Sequence, residues 1–160
     1  MSKNKEIKTN AMRFLDTGKI PYKTIQYECD EFTNGVDVSA KTGIPVDRSF
    51  KTLVTSGRSG GYFVFVIPVA MELDLKAAAR AVGEKAVEMI HVKDINKVTG
   101  YIRGGVSPLG MKKTYVTVID SRALGFDEIA VSGGRIGSTI TLKPYDLIAA
   151  VNAKTGDIAV

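Results

Sequence analysis

The sequence predicts a mixed α+β domain whose sheet curls toward a barrel, on three observations. Two apolar, β-branched and aromatic runs, residues 50–54 and 62–67, flank Gly57-Arg58-Ser59-Gly60-Gly61 and read as a hairpin. A helical segment with both stop signals follows, opened by Asp74 and closed by Gly83. The remaining strands and helices are interspersed without the regular strand–helix–strand rhythm of a parallel α/β sheet.

Taken in order, Ile7, Ala11, Phe14 and Leu15 recur at helical spacing, with Gly18 as C-cap and Pro21 just beyond. Residues 22–27 read as a short strand and 28–35 as a polar loop. Asp37 is placed to cap a short helix that ends at Gly43. After the hairpin and the helix behind Asp74, residues 86–90 form a short strand. Residues 92–98 form a short helix with Ile95 and Val98 inward. Residues 114–119, 129–132 and 138–142 are three further strands, the last two joined by Gly133-Gly134-Arg135-Ile136-Gly137. Pro144 opens a final helix through about Ala153, because a helix start leaves that N–H unbonded in any case.

Composition narrows the chemistry. At 160 residues the chain is one domain, 1–160, large enough to bury a core without disulfides. One cysteine, Cys29, and one histidine, His91, exclude a disulfide framework and a Cys/His zinc site, so no metal or other cofactor is expected. Cys29 sits among Glu28, Asp30 and Glu31, which disfavour its thiolate. No activated nucleophile is identifiable with His91. The net charge of +5 attracts an anionic partner only mildly. No window approaches the roughly 18 apolar residues of a membrane span, and no signal core follows the charged start. The expected location is the cytoplasm, away from membranes.

Three features invite a functional reading. Lys51 lies in an apolar strand, sharing a face with Leu53, while Thr52 shares one with Phe50 and Val54. It is either an edge lysine reaching for water or an anchor for phosphate, ribose or carboxylate. The segment Thr99-Gly100-Tyr101-Ile102-Arg103-Gly104-Gly105-Val106-Ser107-Pro108-Leu109-Gly110 is either a long turn or a place where backbone approaches a ligand. It is not a phosphate-binding P-loop, because Met111 stands where the lysine belongs and a strand follows. Val131-Ser132-Gly133-Gly134-Arg135 has no dinucleotide-fingerprint context. The basic residues Lys3, Lys5, Lys8, Arg13, Lys19, Arg103, Lys112 and Lys113 are either a solvated surface or a track for a phosphate backbone.

Together these segments, with Arg48-Ser49-Phe50-Lys51-Thr52-Leu53 at their head, resemble the YbaK/EbsC group of bacterial proteins. These are free-standing relatives of the prolyl-tRNA synthetase editing domain. Leu73-Asp74-Leu75-Lys76-Ala77-Ala78, Val87-Glu88-Met89 and the terminal Asp146-Leu147 helix fit the same pattern, so the resemblance spans almost the whole chain. It implies a mixed, barrel-like sheet with surrounding helices. It also implies an aminoacyl-tRNA deacylase that hydrolyses Cys-tRNA(Pro), and by extension Cys-tRNA(Cys), in trans. The partners implied are the aminoacyl-tRNA acceptor end and prolyl-tRNA synthetase.

Carried over by resemblance, Lys51 matches the family's essential lysine, and Gly104 the glycine whose backbone contacts the ester. Tyr27, Thr52, Gly105, Ser132 and Gly133 fall on substrate-binding positions. Tyr101, Arg103, Lys112, Lys113 and Arg135 are expected at the tRNA, with Tyr27 or Tyr101 stacking on a base. Two departures stand out. Asn34 replaces a pocket phenylalanine, with Phe32 displaced by two positions, and Ile136 replaces the second of two basic residues after Gly134. Two alternatives remain: a relative that uses water on another ester such as Ala-tRNA(Pro), and a non-catalytic tRNA- or synthetase-binding module.

Overall fold

The computed structural model describes residues 8–28 and 35–160. Lys3, Lys5, Ile7, Cys29, Phe32 and Asn34 lie outside the described residues, as does most of the polar loop expected over 28–35.

Helix α1 spans Asn10–Thr17 and is capped by Thr9, whose hydroxyl accepts from the Met12 N–H at 3.2 Å. Ala11, Met12 and Leu15 form its buried stripe. Gly18 caps its C-terminus, yet the positive φ of that turn falls on Lys19, at 56°. Strand β1 (Lys23–Gln26) follows. Asp37 lies inside the first turn of α2 (Gly35–Thr42), where a carboxylate meets the helix dipole, rather than at the cap position the sequence suggested. The hairpin is β2 (Phe50–Gly57) and β3 (Tyr62–Pro68), in unbroken register. Helix α3 (Leu75–Val82) carries both expected signals. The Asp74 carboxylate accepts from Lys76 N–H and Ala77 N–H at 3.1 Å, and Gly83 closes the helix in the left-handed region.

Strand β4 is Val87–Met89. The helix expected over 92–98 is a 3-10 turn, Val92–Asp94, leading into α4, Ile95–Thr99. Strands β5 (Val116–Asp120), β6 (Ile129–Ser132) and β7 (Ser138–Leu142) precede α5 (Pro144–Val151). Asn152, in the left-handed region, stops α5 short of Ala153. A last strand, β8 (Lys154–Gly156), was not legible in the sequence, because its three residues carry no apolar alternation.

The barrel-like sheet is built as two sheets, ordered β1-β7-β6 and β4-β2-β3-β5-β8. The first is antiparallel, and the second mixes antiparallel pairs with the parallel pairs β3–β5 and β5–β8. A bridge between Ser49 and Ala130 brings the start of β2 beside β6 and joins the sheets. Alternation along the hairpin feeds a core on each face, with Val54 and Val64 forming a third cluster with Val98. Phe50 and Val66 join Met12, Leu15, Ile140 and Leu147 on one face, while Phe65 and Ile67 join Ala78, Val118 and Ile158 on the other. Among the described residues, no helix is long and apolar enough to cross a membrane.

Candidate active site

Phe50, Lys51, Thr52, Leu53 and Val54 are consecutive in β2, yet all line one cleft of about 840 Å³. A strand paired on both edges offers a cavity only alternate residues, so this edge must be open. It is. Strand β4 pairs only with Thr55, Ser56 and Gly57, and the bridge to β6 is made at Ser49. Between those two points, apart from the Ile90 N–H that donates to Val54 O at 3.2 Å, no strand among the described residues pairs with the edge. The cleft wraps around it and meets the Lys51 side chain on one face and the Thr52 side chain on the other.

Lys51 is half-buried, and its side chain makes no hydrogen bond or ion pair to any described residue. Thr52 Oγ1 is buried and has no hydrogen-bond partner among the described residues. A buried hydroxyl without a partner costs free energy of order 1–3 kcal/mol. Glu72, Asp37 and Arg103 bring charge of both signs to the walls, and Met89, Val92 and Val36 supply an exposed apolar rim.

Opposite β2, the cleft is closed by the glycine segment and by the ends of β6 and β7. Gly104 lines the cleft with φ at 89°, a conformation that favours glycine and turns the main chain toward the cavity. Its neighbour Gly105 does not line the cleft. A Cβ there would sit 2.8 Å from Arg135 Cα, so this glycine lets two loops cross in contact. Ser132 and Tyr27 line the cleft, and Ser132 Oγ accepts from the Gly134 N–H at 3.2 Å. Gly133 is buried away from it. Its N–H donates to Ser138 O at 2.8 Å, and its carbonyl accepts from Thr9 Oγ1 at 2.6 Å.

Of the residues expected at an anionic chain, Arg103 reaches the cleft, while Lys112, Lys113 and Arg135 are exposed outside it. Arg135 donates to Gln26 Oε1 at 3.4 Å and Lys112 to Lys97 O at 3.4 Å, both weak tethers. Tyr101 is a correction. It is 5 % exposed, its hydroxyl donates to Leu109 O at 2.5 Å, and burial pushes its phenol up to about 12. Its ring is a core element of the glycine segment and offers no face to a base. Tyr27 is then the only one of the two tyrosines in the cleft wall. The sequence missed Ser138 and Thr139, which line the cleft beside Ser132. The β6–β7 register, pairing Ser132 with Thr139, was the available signal once the hairpin was recognised.

The cleft's described walls contain hydroxyls, one lysine, one arginine and two carboxylates, but no histidine or cysteine. His91 is exposed, outside the lining. Among the described residues, no three carboxylate, histidine or cysteine side chains come together as a metal ion would require. Such a site can hold an anion or a polarised carbonyl, but it has no side chain of its own suited to attack one at neutral pH.

Four similarities bear on this arrangement. Residues 32–150 match the aminoacyl-tRNA editing domain family. A protein of Enterococcus faecalis, provisionally named a Cys-tRNA(Pro)/Cys-tRNA(Cys) deacylase, EbsC, is 44% identical over 99% of this chain and 98% of its own length. A proline–tRNA ligase of Fervidobacterium nodosum is 30% identical over 97 residues, which are 61% of this chain and 17% of the ligase. A crystal structure described as a candidate trans-editing enzyme for prolyl-tRNA synthetase superposes with a TM-score of 0.83 at 25% identity, covering 97% of this chain and 99% of that one.

Proposed function

Because this chain belongs to the aminoacyl-tRNA editing domain family, we propose that it is a deacylase that removes cysteine from proline tRNA, and from cysteine tRNA, in trans. The observation that carries the reading is an unpaired Lys51 in a cleft whose described walls hold neither histidine nor cysteine. A cysteinyl ester brings its own nucleophile. Its thiol sulfur attacks the ester carbonyl, the carbon–sulfur bond forms, and the carbon–oxygen bond to the ribose breaks. The thiol proton passes to the departing ribose oxygen, and water then opens the cyclic thioester. A well-oriented intramolecular attack has an effective molarity of about 10⁵–10⁸ M.

What remains for the protein is to fold and hold the ester. Lys51 anchors the terminal phosphate, ribose or ester oxygen as a cation rather than as a base. Main chain around Gly104 suits the oxygen on which charge develops. Thr52, Ser132 and Tyr27 bound the aminoacyl end, and Tyr27 suits stacking on the terminal base. Arg103, Lys112, Lys113 and Arg135 track the acceptor phosphates, whereas Gly105 and Gly133 support the walls from behind. Five surplus charges give modest affinity for tRNA alone, which favours capture of the substrate beside prolyl-tRNA synthetase in the cytoplasm.

The test is deacylation of a panel of charged tRNAs. Cys-tRNA(Pro) is expected to be cleaved about 100-fold or more faster than the serine ester, which has the same shape without the thiol. Equal rates on the two would contradict thiol assistance. Turnover of Ala-tRNA(Pro) in preference to the cysteine ester would assign the cleft to a water-using deacylase instead.

A further inference from the structure

We propose that the open edge of β2 reads the aminoacyl group through the main chain of Thr52, pairing with it as one strand residue pairs with another. The inference rests on the deacylase reading and names how that site holds the ester.

The directions of the β2 main chain follow from its hydrogen bonds. Ser49 O accepts from Val69 N–H at 2.9 Å, and the β2–β3 register runs unbroken from Phe50↔Pro68 to Ser56↔Tyr62. Residues 49, 51, 53 and 55 therefore turn their N–H and C=O toward β3, and the residues between them turn away. The other edge agrees. Val54 O accepts from Ile90 N–H at 3.2 Å, and Arg58 N–H donates to Ala86 O at 3.0 Å, both on the β4 side. Thr52 belongs to that second set but lies beyond the reach of β4, whose pairing begins at Thr55. Its N–H and C=O point together toward the cleft, outside both the β4 pairing and the bridge at Ser49. Its Oγ1 is buried without a partner among the described residues, on the same residue whose main chain faces the unpaired stretch of the edge. Unpaired buried main-chain groups are rare in native proteins, and an open strand edge is a template for pairing.

An aminoacyl ester has the N–Cα–C=O skeleton of a strand residue. In a hydrogen-bonded antiparallel pair, two residues exchange both of their N–H···O bonds. The α-ammonium of the ester donates to Thr52 C=O, and the ester carbonyl accepts from Thr52 N–H. This is strand addition reduced to a single residue. It recognises the part that all aminoacyl esters share and leaves side-chain discrimination to the other walls. It also aims an N–H at the carbonyl oxygen on which charge builds during attack, so Thr52 contributes directly to the reaction.

Two variants separate main chain from side chain. Thr52→Val removes only the hydroxyl. Thr52→Pro also removes the N–H, which is tolerable on an edge because that N–H makes no bond to β3. Wild-type turnover of Cys-tRNA(Pro) is the control for the deacylase reading itself. Given that turnover, Thr52→Pro is expected to lose about 10²–10³ in kcat/KM relative to Thr52→Val. The wild type is expected to lose about 10-fold or more on a 3-mercaptopropionyl ester, which keeps the thiol but lacks the α-amino group. Equal activity of folded Thr52→Pro and Thr52→Val would overturn the proposal. If the proline variant fails to fold, the Thr52 amide resonance of the wild type decides. A downfield shift on adding 3′-cysteinylamino-3′-deoxyadenosine supports the pairing, and an unmoved resonance under saturation overturns it.

Discussion

Asp120 and Lys51 lie on β5 and β2, the two strands that flank β3, and the fold treats their charges in opposite ways. Asp120 is fully buried and completely satisfied. Its carboxylate accepts from the Arg122 N–H at 3.0 Å, from Arg122 Nη1 at 3.0 and 3.1 Å, and from Ile158 N–H and Ala159 N–H at 3.0 Å. Those bonds lash the chain's last residues to the five-stranded sheet, where Val160 and Glu72 exchange N–H···O bonds at 2.9 Å. Lys51 is half-buried beside a cleft and has no described partner. A buried charge is tolerated when its neighbours replace the water it lost. Asp120 meets that condition within the chain, whereas half-buried Lys51 keeps its charge toward the cleft, where the proposed ester would meet it. The first is scaffold, and the second is the receptor of the proposed reading.

The sharpest way to break the contrast is at the scaffold end. Asp120→Ala leaves three backbone donors and an arginine side chain without their acceptor, and is expected to cost about 3–5 kcal/mol in urea unfolding. Its deacylation per folded molecule should stay near that of the wild type. A variant that stays stable but loses catalysis would move Asp120 into the reaction and erase the distinction.

A smaller effect is expected at Tyr101, which holds the glycine segment from inside. Its folded pKa of about 12 lies above the ordinary value of 10, because burial disfavours the phenolate. A group whose pKa is raised on folding contributes stability that is complete below its unfolded pKa. Here that stability, at most about 2–3 kcal/mol, declines between pH 10 and pH 12. Tyr101→Phe is expected to cost about 1 kcal/mol at neutral pH, for the bond to Leu109, and to flatten the decline above pH 10. An unchanged alkaline slope would show that the phenol is not the group responsible.

The two regions also differ in how far they were legible in the sequence. Elements with local punctuation were read well. Asp74 and Gly83 bound α3 because capping depends on near neighbours, and the β2–β3 hairpin announces itself by alternation around glycines. Asp120 gave no such sign, since its donors come from Arg122 and from residues 158 and 159, far along the chain. Tyr101 was misplaced for a related reason. It sits in a loop without periodicity, where nothing local says that it is buried while Ile102 is 55% exposed. Lys51 stood out as a charge in an apolar strand, but whether it faced water or a cleft depended on where β4 stops pairing, which is a property of the assembled sheet. The family resemblance supplied what periodicity did not.

The contrast is tested most directly by measuring activity and stability together in Lys51→Ala. Deacylation of Cys-tRNA(Pro) is expected to fall by about 10²–10³. The free energy of unfolding is expected to stay within about 0.5 kcal/mol of the wild type, because no described partner of the side chain loses a bond. Retained activity, or a loss of activity that simply tracks unfolding, would contradict the contrast.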